Sequence, residues 1–174
     1  MSTLPRATLV LGGARSGKSK YAEGLVEAVG AGIYIATAQA FDSEMTDRIA
    51  THQARRGDAW QTVEAPVDLV GALSSERCKG RAVLVDCLTL WISNLMMNDL
   101  DIQREVAALV AVVPTLDAQV VFVSNEVGQG IVPENAMARA FRDHAGTTHQ
   151  ALAAVCNRVV FITAGLPMML KQED

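Results

Sequence analysis

Gly12-Gly13-Ala14-Arg15-Ser16-Gly17-Lys18-Ser19 satisfies the pattern GxxxxGK[ST], and each residue type in it has a chemical purpose. The glycines let backbone N–H groups turn inward around phosphate oxygens. Lys18 reaches toward the β- and γ-phosphates, and the Ser19 hydroxyl is a ligand for Mg²⁺. The implied ligand is a nucleoside triphosphate, and phosphate transfer is the first reaction class to consider. Asp86 ends the apolar run from Ala82 to Val85. A carboxylate there supports Mg²⁺ directly or through water, or else caps a helix starting near Leu88.

The chain holds three histidines. His144 and His149 fall within a long helical stretch, where packing or a solvated face is the plainer role. His52 follows Arg48-Ile49 and precedes Arg55 and Arg56, a basic setting able to meet phosphates. Residue type alone still favours a helix-face histidine among solvated arginines. The stretch Asn125-Glu126-Val127-Gly128-Gln129-Gly130-Ile131-Val132-Pro133-Glu134-Asn135 gathers amide, carboxylate, glycines and proline into one loop. It serves either for binding or, through Glu134 and Asn135, for capping the next helix.

Positioning these groups requires strands that end where the chemistry begins. Ala7 to Leu11 is a nearly continuous apolar run ending at glycines, as a parallel strand buried on both faces would be. Lys18 to Val29 has helical spacing, with Tyr21, Leu25 and Val29 on one face and Gly30 as the stop. Further strands are expected at Gly32 to Ala36, Gln61 to Ala65, Ala82 to Val85, Val120 to Val123 and, last, Val159 to Ile162. Helices are expected from Asp42 or Ser43 to about Arg56, and over Val67 to Leu73, Leu88 to Met97, Ile102 to Val113 and Glu134 to Val155. This alternation implies an α/β fold of the P-loop NTPase type, a mostly parallel sheet flanked by helices on both faces. Ligands in such folds bind beyond the carboxyl ends of the strands. No repeat or linker divides the chain, so one nucleotide-binding domain is expected over residues 1–174.

Composition narrows the function further. Half the residues are apolar but only 5% are aromatic, which suits aliphatic layers between sheet and helices. A net charge of −4 argues against broad binding to nucleic acid or anionic membrane. Cys78, Cys87 and Cys156 are an odd number without a CxxC pair, which suggests reduced thiols rather than disulfides or structural zinc. No apolar run approaches the ~20 residues of a membrane helix. A cytoplasmic protein without membrane insertion is the expectation.

Four blocks in order carry a more specific message: GGARSGKS, YIATAQAFDSEMTDRIATHQARRGDAW, LVDCLTLWISNL and VSNEVGQGIVPENAMARAFRDHAGTTHQALA. From about Thr8 to Gly165 the chain resembles the bifunctional adenosylcobinamide kinase and adenosylcobinamide-phosphate guanylyltransferase family of cobalamin biosynthesis. The resemblance implies a first step that phosphorylates the aminopropanol hydroxyl of adenosylcobinamide with ATP or GTP. A second step transfers GMP from GTP onto that phosphate, giving adenosylcobinamide-GDP. In this family the guanylyl group passes through a covalent histidine after an Arg-Ile pair, which matches His52 and reverses the reading from residue type. The resemblance also places Ala36, Thr37, Ala38, Gln53, Ala54, Arg55, Arg56, Glu64 and Asp86 along the nucleotide site. Glu64 is then a candidate for guanine recognition, because a carboxylate accepts from the ring N–H and exocyclic amine. The corrinoid substrate would bring its own cobalt, leaving Mg²⁺ as the protein-assisted metal, and a homotrimer is implied. On the residues alone a one-step P-loop kinase for another metabolite, or a nucleotide-switched binding protein, remains an alternative.

Overall fold

The computed structural model describes residues 4–39, 50, 54, 57 and 59–173. The expected helix from Asp42 or Ser43 to about Arg56 falls almost wholly outside them. The strands are β1 (Ala7–Gly12), β2 (Gly32–Ala36), β3 (Gln61–Glu64), β4 (Arg81–Asp86), β5 (Ala118–Asn125), β6 (Arg158–Thr163) and β7 (Leu166–Gln172). The α-helices described are α1 (Lys18–Glu27), α2 (Leu69–Leu73), α3 (Leu88–Met97), α4 (Ile102–Val112) and α5 (Ala136–Val155).

The described strands join one sheet in the order β3-β2-β4-β5-β1-β6-β7. β1 to β6 pair in parallel, and β7 runs antiparallel to β6. Successive strand residues face opposite sides of a sheet. Leu9 therefore joins one core with Ile33, Val83, Phe122 and Trp91, while Val10 joins the other with Leu84, Val121 and Val160. α2 to α5 cover the first face and α1 covers the second, so helices flank both sides. Among the described residues no helix is long and apolar enough to cross a membrane.

Three differences from the sequence reading have physical causes. α1 buries Lys18, Ala22 and Val26, whereas Tyr21 and Leu25 pack at the margin and Val29 is 42% exposed. The loop fixes where the helix begins and hence its rotation, and Ala22 is small enough for close approach to the sheet. α2 starts at Leu69 rather than Val67, because the Asp68 carboxylate accepts from Gly71 N and sets the first turn. The largest difference is β7, an additional strand beyond β6, which the sequence reading makes the last. Its turn carries Ala164 at φ 52° and Gly165 at φ 77°, the two positive values that tight hairpins favour. Ala-Gly is a poor turn signal, and Leu166 to Leu170 shows no alternation to mark a strand.

Cys78, Cys87 and Cys156 are all buried and unpaired. Burial pushes the thiols of Cys87 and Cys156 up to about 11 and about 12, which suppresses the reactive thiolate. At pH 8 the native protein should therefore leave all three unreactive toward a thiol-specific reagent such as DTNB, and denaturant should release three equivalents. Rapid reaction of Cys87 or Cys156 before unfolding would contradict this packing.

Candidate nucleotide site

β1 delivers Gly12 to the carboxyl edge of the sheet, between β5 and β6. There is no room for a side chain here: a Cβ on Gly12 would lie 2.5 Å from Ser16 Oγ and 2.6 Å from the Ile162 carbonyl oxygen. The loop turns through Arg15 at φ 55° and Gly17 at φ 99°, and Gly17 starts α1 without a side-chain cap. The first amides of α1 are thus left to meet an anion. Neighbouring elements brace the loop from both sides, Glu126 N donating to Gly12 O at 2.9 Å and Gly165 N to Ser16 O at 2.9 Å.

Lys18 is only 8% exposed, and its Nζ donates to Gly13 O at 2.9 Å. Burial pulls its pKa down, opposed by Cys87 and Asp86. An ammonium folded back onto its own loop is a cation waiting for a better acceptor than a carbonyl. Ser16 Oγ lines the same cavity, buried and without a hydrogen-bond partner among the described residues. Ser19 Oγ donates to Asp86 Oδ2 at 3.2 Å. Two hard oxygens meeting beside a phosphate loop suit Mg²⁺, which keeps several waters and takes phosphate oxygens as further ligands. The helix-cap alternative for Asp86 is removed, because Cys87 occupies the N-cap of α3 and makes no side-chain cap bond.

A cavity of about 1050 Å³ opens beside these groups. Ala14, Arg15, Gly17 and the rest of the loop through Ser19 form one wall, with Thr89, Asn125, Glu126 and Phe141 on the others. Asn125 Nδ2 donates to Thr89 Oγ1 at 3.0 Å, tying the end of β5 to the first turn of α3.

Of the remaining expected site residues, Ala36 and Glu64 lie on the far side of Asp86 from β5. Ala36 is in register between Glu64 and Asp86, so the two carboxylates stand two strand spacings apart, roughly 10 Å. Glu64 is exposed and Ala38 half-buried. Thr37 is fully buried, and its hydroxyl donates to Cys87 O at 2.7 Å and accepts from Cys87 N at 2.8 Å. Asn94 extends this strap, its Nδ2 reaching both Thr37 O and Pro66 O. Residue type gives no sign of that role: an asparagine inside a helix reads as a surface residue until its burial is seen. Ala54 is exposed, while His52, Gln53, Arg55 and Arg56 lie outside the described residues. Of the other histidines, His144 is half-buried and His149 is buried.

Substituting Gly12→Ala would drive a methyl group into the Ile162 backbone, which cannot swing aside as a side chain can. Fluorescent-nucleotide titration should show affinity weakened at least tenfold, with a stability loss of about 1–3 kcal/mol in urea unfolding. Unchanged affinity would mean that the loop does not hold phosphate in this conformation.

Comparison with known proteins follows the same lines. The model of the family described as cobinamide kinase / cobinamide phosphate guanyltransferase matches residues 8–170. The bifunctional adenosylcobalamin biosynthesis protein CobP of Pseudomonas aeruginosa is 51% identical over 170 residues, covering 95% of this chain and 97% of that protein. Its Escherichia coli counterpart CobU is 39% identical over 178 residues, covering 94% and 98%. Among solved structures, an ATPase domain aligns with TM-score 0.56 at 12% identity over 98% of this chain and 78% of its own. A Pyrococcus horikoshii protein aligns with TM-score 0.54 at 12% identity, covering 100% and 89%. The structural likeness shows the P-loop NTPase fold. Matched along nearly its whole length, the chain belongs to the cobinamide kinase / cobinamide phosphate guanyltransferase family.

Proposed function

We propose that this protein phosphorylates adenosylcobinamide with ATP or GTP and then transfers GMP from GTP to the product, giving adenosylcobinamide-GDP. The observation that carries the reading is the convergence of Lys18, Ser16, Ser19 and Asp86 at the carboxyl edge of the sheet, in a chain of this family. In the first step the loop amides and Lys18 hold the β- and γ-phosphates while the acceptor hydroxyl attacks the γ-phosphorus. Ser19 and Asp86 would hold Mg²⁺, which when bound offsets phosphate charge. Lys18 then exchanges its bond to Gly13 O for phosphate oxygen.

His52 carries the second step in this reading. Neutral imidazole, with an ordinary pKa near 6.5, attacks the α-phosphorus of GTP without a separate base. An N–P bond forms as the bond from the α-phosphorus to the bridging oxygen breaks, and pyrophosphate leaves with the electron pair. A phosphate oxygen of adenosylcobinamide phosphate then attacks the same phosphorus, and His52 departs as free imidazole. Arg55 and Arg56 stabilise the charge that grows on the phosphoryl oxygens, and Gln53 and Ala54 complete that segment of the nucleotide site. Ala36, Thr37, Ala38 and Glu64 form the guanosine side, with the exposed Glu64 carboxylate accepting from guanine. The corrinoid brings its cobalt already bound, and the working assembly is a homotrimer of cytoplasmic chains.

Denaturing the protein after incubation with Mg²⁺ and GTP separates this reading from a one-step kinase. Label from the α-phosphate, but not the γ-phosphate, should stay on the chain, withstand base, be released by acid and vanish in His52→Ala. No α-label, under conditions where GTP demonstrably binds, would remove His52 from the mechanism.

A further inference from the structure

Glu126 is a carboxylate on the cavity wall that the reactions above leave without a task. Its backbone N–H is bonded to Gly12 O at 2.9 Å, which fixes the residue to the first residue of the phosphate loop. Oε1 accepts from Gly128 N at 2.6 Å. A Cβ on Gly128 would lie 2.9 Å from that same oxygen, so a larger residue would push the carboxylate from this position. Oε2 faces His149 Nδ1 at 3.8 Å, beyond hydrogen-bond range, and so keeps its capacity to accept a proton from elsewhere. The Glu126 side chain is 22% exposed, enough for exchange with solvent.

His149 is buried on α5, and its Nε2 lies 2.7 Å from Ser124 Oγ at the end of β5. Two tautomers are possible. With the proton on Nε2, the bare Nδ1 lone pair would point at the carboxylate, which is unfavourable. With Ser124 donating to Nε2, the proton sits on Nδ1 and turns its positive end toward Glu126. Burial lowers the pKa of His149, with Glu126 opposing, which favours the neutral ring. Ser124, His149 and Gly128 together orient one carboxylate toward a cavity shared with Lys18.

We propose that Glu126 is the general base of the phosphorylation step and that His149 is its positioning residue. The assignment rests on the kinase reading of the Lys18 cavity. The carboxylate takes the hydroxyl proton as the acceptor oxygen bonds to the γ-phosphorus. The bond between that phosphorus and the β–γ bridging oxygen breaks, the nucleoside diphosphate leaves with the electron pair, and the proton passes from Glu126 to water.

Single-turnover phosphorylation of cobinamide by γ-labelled ATP tests this, alongside nucleotide titration. Glu126→Gln keeps the acceptor for Gly128 N but cannot take a proton. It should lower the chemical rate about 10²–10³-fold while ATP affinity stays within threefold, and Glu126→Asp should recover part of the rate. His149→Gln should lower the rate about tenfold with affinity likewise kept. A fall of less than tenfold in Glu126→Gln, or parallel loss of rate and affinity, overturns the assignment. Lys18→Ala distinguishes the two levels. If it abolishes phosphorylation while Glu126→Gln does not, only the base is wrong; if it leaves phosphorylation intact, the kinase reading of this cavity fails as well.

Discussion

The site is organised around a lysine ammonium held out of water. Burying such a cation is costly unless something nearby repays it, and here the ammonium donates to a mere carbonyl of its own loop. The N-terminus of α1 adds positive potential at the same point, so the two do not relieve each other. Asp86 is the counterweight, reaching the loop through Ser19. The remaining imbalance favours a polyanion. A protein with net charge −4 thus keeps a lysine ammonium and uncapped helix amides together at one edge of its sheet, an arrangement that comes from local geometry rather than from overall charge.

Strand register is what turns these local features into a row. Parallel pairing sets Gly12 beside Asn125, Asp86 beside Ala36, and Ala36 beside Glu64. The loop after Gly12, Asp86 and the outlying Glu64 therefore lie along one edge although they are far apart in sequence. Thr37 and Asn94 maintain the middle of that row by bonding β2 to the start of α3 and to the turn after β3. Their polar groups are spent inside the protein, which makes them guardians of spacing between the two halves of the edge.

Much of this is legible in the sequence wherever local and tertiary demands coincide. GIYIA becomes β2 with its limits unchanged, and Leu88 to Met97 becomes α3 in the same way, because apolar runs flanked by glycine or polar breaks leave the chain little choice. The phosphate loop announces itself because its backbone needs glycine at fixed places. The inward face of α1 is not legible, since its rotation depends on where the loop releases it. β7 escapes notice because an edge strand needs only a neighbour with free backbone groups, and Leu166 to Gln172 carries no face pattern of its own. The loop from Asn125 looks chemically rich in sequence, but only the fold shows Glu126 and His149 within 3.8 Å of one another.

The pairing order also bears on how the protein comes to exist. β1 precedes both of its partners by a long stretch of chain, since Ala7 pairs with Val120 and Thr8 with Arg158. The brace on the loop from Gly165 comes later still. During synthesis β1 must wait, unpaired, while β2, β3 and β4 are made before its partner β5. Contacts of such long sequence separation slow folding and leave strand edges open in the interim. Until β5 and β6 have been made, the loop lacks the strand pairing and the braces that fix its shape, and the apolar β1 is left without its neighbours.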